Sequence, residues 1–520
     1  MSSSAPAEGS FRTRRFLGGM GLTLINQFAA LLVGLWFTRF ALGRLGQHEY
    51  GLWLVGLQIV AYLSLLDLGV VALLPRETAF AAGREAAGGL SGVARLLGSA
   101  TQLVLLQAPA LALLAVAAGA IVAHKWSGLL PAVSVILATY VISFPLRVFG
   151  ATLQGLQDLA FLGWVQLGAW AAGTAVSIAM LLGGYGLLAL ASGWVVTQLS
   201  PPAVQWLRLR SRYPAALPSH SPRLTWAEAR DYLARSLWVS MSQVTSLLIN
   251  GADVLIIAAI LGPARVVPYV LTGKLVAVAA NLPYAIAHTA GPGLSEMRVR
   301  ESRERLHQVT TALTQGVLLA SGLVAVIVLA LNGAFVRWWV GPAQFGGLTL
   351  SALFVLLMMA NHWATTIVYT AYSLGHERAT ALVGACQGLV TLAVTLALVP
   401  VLGIAGGALG SLTGAVLVTL PLMLRIVVRE VGGTVGQLLR PLLPLAARLA
   451  VLAALAVAVS RLERPSGLPW LVGGGLALSA LYVLVMIPVA RRPPLRPYVA
   501  RALEPLGRPL ARLRTFGRSR

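Results

Sequence analysis

"SLLINGADVLIIAAILG", running from Ser246 to Gly262, decides the class of fold. Apart from Ser246, Asn250 and Asp253 it is hydrocarbon and glycine. A lone carboxylate in such a run costs about 2.5–3.5 kcal/mol on membrane-insertion scales, so it must be paired, neutralised or turned toward an interior. Extending the stretch back to Ser236 shows which way it turns. At 100° per residue, Ser236, Ser240, Gln243, Ser246, Asn250 and Asp253 gather within an arc of about 140°. One side of this helix is polar and the other is suited to lipid.

The rest of the chain has the same texture. Of 520 residues, 58% are hydrophobic and 11% charged, against about 25% charged in soluble domains. Fourteen apolar segments reach the roughly 20 residues that a bilayer core demands. They lie at about 20–42, 50–74, 99–123, 129–153, 161–182, 185–207, 236–262, 266–290, 309–333, 347–374, 379–402, 404–428, 441–460 and 469–490. The sequence predicts an all-α polytopic membrane protein with about 14 transmembrane helices. A spanning barrel would show shorter, alternating strands.

The net charge of +23 fits this reading without nucleic acid. With both termini cytoplasmic and the spans alternating in direction, cytoplasmic segments hold 30 of the 39 Lys and Arg. Outward loops hold seven, namely Arg39, Arg44, Lys125, Arg265, Arg337, Arg461 and Arg464, while Lys274 and Arg448 fall inside spans. That asymmetry is the positive-inside pattern. The single cysteine, Cys386, allows no internal disulfide. Arg12, Arg14 and Arg15 precede an apolar run of spanning length, which reads as a first helix rather than a cleaved leader.

The longest polar break, 208–235, carries six Arg with Pro and Ser. It separates an N-lobe of six helices (1–207) from a C-lobe of six (236–430). An appended pair (431–490) and a basic cytoplasmic tail (491–520) follow. Residues 223–237 suit either an interfacial helix or a solvated connector. "LGQHEY" (Leu45–Tyr50) and "LGPARVVPY" (Leu261–Tyr269) share a Leu-Gly, a short turn and a Tyr that opens the next helix. Together with the six-plus-six spacing they suggest two related bundles, a common transporter plan. Gly406, Gly410 and Gly414 are spaced for close helix packing. The tail, with nine Arg and one Glu, suits anionic phospholipid headgroups.

Other spans carry polar faces. Lys274, Asn281 and His288 recur every seven residues. Tyr140, Ser143, Arg147, Gln154 and Asp158 flank Pro145, which should kink their helix. Asn361, Thr365, Tyr369 and Tyr372 share a face, Asn26 and Gln27 lie in the first span, and Asp67 lies in the second. Enough helices offer polar faces to line a cavity. Several of these residues also have structural readings: an Asp253–Lys274 pair, an Asp67–Arg76 pair, headgroup anchoring by Arg147, or packing by Tyr369 and His288.

Catalytic constellations are missing. Neither Lys is preceded and followed as in a GK[ST] phosphate loop. No paired-Cys or HExxH metal spacing appears, and the outward loops are short. The expectation is a non-enzyme without cofactor or metal.

Several stretches resemble the lipid-linked oligosaccharide flippases, the polysaccharide transporter branch of the multidrug/oligosaccharidyl-lipid/polysaccharide exporter superfamily. They are "LGQHEYGLW" (Leu45–Trp53), "LLDLGVVALLPRETA" (Leu65–Ala79), "FPLRVFGATLQGLQ" (Phe144–Gln157), "ADVLIIAAILG" (Ala252–Gly262), "PYVLTGKL" (Pro268–Leu275), "AGPGLSEM" (Ala290–Met297), "VRWWVGPAQFGG" (Val336–Gly347) and "LALVPVLGIAGGALGSLTG" (Leu396–Gly414). The resemblance implies alternating access and a polyprenyl-pyrophosphate-linked glycan as cargo, moved from the cytoplasmic to the outer leaflet of a bacterial inner membrane. Under it, Lys274 and then Arg147 meet the pyrophosphate, and Arg76 gathers headgroups at the mouth. Asn26, Gln27, Asn250, Asn281 and Tyr369 meet sugar hydroxyls, and Asp253 and Asp67 bind H+ or Na+. Polysaccharide polymerase or assembly proteins are the implied partners. A drug/cation antiporter of the same superfamily and a non-transporting scaffold of an assembly complex are the alternatives.

Overall fold

The computed structural model describes residues 5–64, 69–84, 89–218, 225–462 and 467–500. Within those ranges the side chains of 5–30, of 235–242 and of a few single positions, Asn250 among them, lie outside the description. Every regular element among the described residues is helical. Nine described helices are long and apolar enough to cross a membrane, and twelve if each of three bent pairs is one span. The two further segments read from the sequence, 20–42 and 50–74, fall largely in α1 (Ala5–Leu63), where many side chains are not described, and on 65–68, which are outside the described residues.

Contacts divide the chain into two compact units, 1–247 with 262–267, and 248–261 with 268–520. In the first unit α1 is followed by α2 (Val70–Arg84), α3 (Ser91–Lys125), α4 (Leu130–Ser143), α5 (Arg147–Gly155), α6 (Leu159–Leu182) and α7 (Leu187–Arg212). Next comes α8 (Trp226–Leu261), which passes from the first unit into the second. Residues 226–237 are continuous with α8, whose candidate span lies further on, at Gln243–Ile249 and Gly251–Leu261, bent by 45°. Pro145 breaks the fourth span as expected, since its ring cannot continue the ladder. The pieces 127–143 and 147–155 meet at a 50° bend. Helices α6 and α7 cross closely because each offers a glycine to the other. A Cβ on Gly173 would sit 2.5 Å from the Gly193 carbonyl oxygen, and one on Gly193 would overlap the Gly173 carbonyl.

The two Leu-Gly turns share a backbone conformation. Gly46 has φ 75° and ψ 174°, and Gly262 has φ 90° and ψ 156°. A side chain rarely tolerates either. The turns also touch. Gln47 Nε2 donates to the Ala264 carbonyl at 2.9 Å, and Gly51 packs directly on the carbonyl of Pro263.

The second unit continues with α9 (Val266–Ala279), α10 (Asn281–Thr289), α11 (Gly291–Arg300), α12 (Arg303–Val340), α13 (Leu348–Ser373) and α14 (Glu377–Leu402). Then follow α15 (Ala405–Gly414), α16 (Leu420–Val431), α17 (Val435–Leu439), α18 (Leu443–Ser460) and α19 (Leu468–Ala490). Its centre is α12, whose Ala325, Val326, Val328 and Leu329 are buried in one core with Leu452 and Ala456 of α18 and Met486 of α19. Tyr482 donates to the Leu319 carbonyl at 2.6 Å, and Gln315 Nε2 to the Pro441 carbonyl at 2.7 Å. The last two spans therefore pack on the second unit through α12. The glycines of α15 pack as their spacing suggests. A Cβ on Gly406 would lie 2.6 Å from the Val399 nitrogen and one on Gly414 3.1 Å from the Gln387 carbonyl oxygen. The helix then turns π-helical over Ala415–Thr419, where the Thr419 hydroxyl donates to Gln387 Oε1 at 2.5 Å.

Candidate functional site

Asp253 lies on α8 and both Tyr269 and Lys274 on α9, all in the second unit. The Asp253 carboxylate accepts the Val254 N–H at Oδ1, 2.9 Å away, and the Tyr269 hydroxyl at Oδ2. Tyr269 is buried, with its ring 5.1 Å from that of Phe354. Its hydroxyl lies where a Cβ on Gly407 would come within 3.2 Å. The partner of Asp253 is therefore a neutral phenol. Among the described residues no ion pair joins Asp253 to Lys274. Geometry explains the choice. Five residues turn a helix through about 140°, so Tyr269 and Lys274 leave α9 on different sides. Lys274 is half-buried and makes no hydrogen bond or ion pair among the described residues.

This pairing gives a stability prediction. Removing the Tyr269 hydroxyl leaves the half-buried Asp253 carboxylate with Oδ2 unserved and only the Val254 N–H at Oδ1, which costs about 1–3 kcal/mol. Tyr269→Phe is expected to lower the midpoint of thermal unfolding in detergent. The same change in an Asp253→Asn background should cost less, and equal losses in the two backgrounds would show that the hydroxyl does not serve the carboxylate.

The heptad Lys274–Asn281–His288 does not run along one straight helix. The span bends by 47° between 263–279 and 283–298. Pro283, which has no N–H to give, sits at the break. Lys274 stands on one side of the bend, Asn281 and His288 on the other. Both of the latter are exposed, and Asn281 Nδ2 donates to the Val278 carbonyl at 3.2 Å. The break is supported from α13. His362 Nε2 lies 3.1 Å from the Ala280 carbonyl oxygen, and a carbonyl only accepts, so Nε2 carries a hydrogen. Its Nδ1 lies 2.7 Å from the Ser321 hydroxyl of α12. A row of rings continues outward, with Tyr284 edge-on to His362 at 4.4 Å and Tyr369 edge-on to His288 at 4.2 Å.

On α13 the face Asn361–Thr365–Tyr369 is half-buried and Tyr372 exposed. The fully buried polar stripe is one residue further on, at His362, Thr366 and Thr370. Sequence reading missed Tyr269, Tyr284, Ser321 and His362. Each is defined by a partner on another helix, and periodicity within one helix does not reveal that.

In the first unit Arg147 is half-buried and stacks 4.7 Å above the Tyr140 ring, with Nη1 donating to the Tyr140 hydroxyl at 3.3 Å. Asp158 takes Arg208 as its partner at 2.9 Å. Arg76 is exposed and lies 5.3 Å from the Phe80 ring centre. Asp67 is outside the described residues, and so are the side chains of Asn26, Gln27 and Asn250. The structure thus pairs Asp253 with Tyr269 across α8 and α9, leaves Lys274 on another side of α9, and brings Tyr284 to His362 and His288 to Tyr369 between α10 and α13.

Comparison with known proteins adds to this. Residues 105–341 match the family described as polysaccharide biosynthesis protein. The fold is similar to a lipid II flippase MurJ in an inward closed conformation, with TM-score 0.61 and 11% identity over 90% of this chain and 98% of that one. It is similar to an inward-facing multidrug resistance MATE family transporter of the MOP superfamily at TM-score 0.56 and 14% identity, covering 74% and 95%. An outward-facing transporter of the same description gives 0.50 and 13%, covering 81% and 95%. At these identities the likeness is one of fold. No curated protein sequence matches. Residues 105–341 of this multi-pass membrane protein thus match the polysaccharide biosynthesis protein family, and its fold is similar to those of the lipid II flippase and the MATE transporters.

Proposed function

We propose that this chain is a flippase that moves a polyprenyl-pyrophosphate-linked oligosaccharide from the cytoplasmic to the outer leaflet of a bacterial inner membrane. It does so by alternating access, in the synthesis of cell-surface polysaccharide or lipopolysaccharide. One observation carries the reading. Lys274 stands about 16 Å along its span from Pro263, near the middle of a hydrocarbon core about 30 Å thick, and has no anionic partner among the described residues. Bare charge at that depth costs several kcal/mol and is retained where it meets a ligand. A pyrophosphate supplies the missing charge. The family match supplies the glycan context.

A second feature supports a lipid-linked cargo. A groove of about 700 Å³ in the second unit is lined almost wholly by hydrocarbon, including Leu356, Met359, Leu412, Leu417 and Leu443. It suits a branched prenyl chain while the headgroup meets polar side chains. Arg147 and Arg76 remain candidates for headgroup contacts, Tyr369 and Asn281 for sugar contacts, and Asp253 for H+ or Na+ binding, although its Tyr269 partner favours a structural share.

The test is leaflet access in cells. Spheroplasts that make the lipid-linked glycan should bind a membrane-impermeant lectin when the protein is present and lose most of that binding when its gene is deleted. Equal labelling in both would contradict the proposal. The fold likeness to MATE transporters favours drug/cation export as the second reading, which predicts altered resistance to cationic drugs and unchanged lectin labelling.

A further inference from the structure

At the end of the second unit where α12 stops at Val340 and α18 at Ser460, helices α13 and α19 begin. These four termini enclose a cavity of about 220 Å³. Two arginines line it, Arg337 and Arg461, with Phe345, Ser351, Ser460 and Trp470. Both arginines are exposed to it and neither has an acidic partner among the described residues. Arg337 rests 5.8 Å from the Phe345 ring centre. Its place in the last turn of α12 accounts for a cation there, because helix C-termini favour positive charge. That does not account for a second guanidinium on the same small cavity. Like charges sharing one site repel unless an anion lies between them.

The remaining walls also favour an anion. Helices α13 and α19 open here without a capping side chain, at Gly347 and Gly467. Leu348 and Ser351 in the first turn of α13 and Trp470 near the start of α19 line the cavity, and the N-terminal end of a helix favours negative charge. Arginine presents a planar fork that fits phosphate oxygens two at a time. Trp470 gives the wall an aromatic ring of the kind enriched at headgroup depth. The charge asymmetry of the sequence assigns this end to the outer face.

We propose that Arg337 and Arg461 form a site for a phosphate-bearing headgroup at the outer end of the second unit, between α12 and the last pair of spans. Two sources offer this chemistry, an anionic phospholipid of the outer leaflet and the pyrophosphate of a prenyl-linked cargo. The site is separate from Lys274 along the chain and does not depend on the flippase reading.

The test uses the full-length protein in detergent, with native mass spectrometry of bound lipid. Dioleoyl phosphatidylglycerol, dioleoyl phosphatidylcholine and farnesyl pyrophosphate are the probes. Arg461→Gln should weaken binding of the anionic probe about tenfold, and Arg337→Gln/Arg461→Gln about a hundredfold. Arg425→Gln/Arg429→Gln, on exposed positions of α16, should leave it unchanged. Arg461 lies in a loop-facing position, so the single variant keeps the test valid if the double variant folds poorly. Binding of phosphatidylglycerol alone identifies a membrane lipid, and binding of farnesyl pyrophosphate alone identifies the cargo group. Failure of both probes, binding equal to that of phosphatidylcholine, or undiminished binding in folded variants overturns the proposal.

Discussion

Replacing Lys274 by alanine is expected to reduce glycan export by about a hundredfold while leaving the protein inserted and folded. The reason is the ammonium's isolation. A residue that anchors the fold leaves a partner stranded when it is removed, and Lys274 has no hydrogen-bond or ion-pair partner among the described residues to strand. Truncation should relieve the cost of a half-buried charge and so preserve or raise stability. On the proposed function, what is lost is the attraction for the pyrophosphate. A charge-assisted contact of that kind is worth about 2–3 kcal/mol, or about a hundredfold in affinity. Lys274→Arg keeps the charge and should retain a substantial part of export, whereas Lys274→Gln should behave like alanine. Surface glycan measured per amount of membrane-inserted protein separates transport from expression. Alanine export at the wild-type level would remove Lys274 from the mechanism.

The second large effect is structural. Gly51→Val is expected to abolish the native packing of the two Leu-Gly turns. A Cβ at position 51 would overlap the Pro263 carbonyl oxygen and lie 2.6 Å from its carbon. Both obstacles are backbone, so no rotamer change relieves them. Overpacking costs about 1–3 kcal/mol even where side chains can adjust, and here the turn itself must move. Gln47 would then lose its 2.9 Å hydrogen bond to Ala264. Gly51→Val should lower the thermal midpoint in detergent by more than any single polar change at the candidate site. Gly43→Ala, where a Cβ meets nothing within 4 Å, is the matched control and should change little. Comparable stability of the two variants would contradict the packing.

Much of this fold is legible in the chain because the bilayer enforces a simple rule. Backbone polar groups must be satisfied within each span, so apolar length alone reveals helices. Pro145 marked its bend, and the paired Leu-Gly motifs marked turns whose glycines do adopt matching left-handed conformations. Pro283 was equally visible, but its consequence for the spacing of Lys274, Asn281 and His288 follows only once the 47° bend is placed. The site was less legible. Periodicity shows which residues share a face and cannot show what that face meets. Asp253 stood out as an acid in hydrocarbon, yet its partner was unreadable because Tyr269 lies across a turn on another helix. On α13 the chosen face was one residue from the buried stripe of His362, Thr366 and Thr370. Threonine bonds its own helix, as Thr366 does to the His362 carbonyl at 2.7 Å, and so carries no sequence sign of burial.

The central proposal is that Lys274, a cation in the middle of a span with no anionic partner among the described residues, draws a pyrophosphate-linked glycan across the membrane. It is tested most directly by reconstituting the purified protein in liposomes with a polyprenyl-pyrophosphate-linked oligosaccharide in both leaflets. Arrival of the glycan at the outer leaflet is then followed with a soluble glycan-cleaving enzyme after the outer pool is stripped. The account predicts rapid arrival with the wild-type protein, near-background arrival with Lys274→Ala, and substantial recovery with Lys274→Arg. Arrival at the wild-type rate with Lys274→Ala, or none with correctly folded wild-type protein, would contradict it.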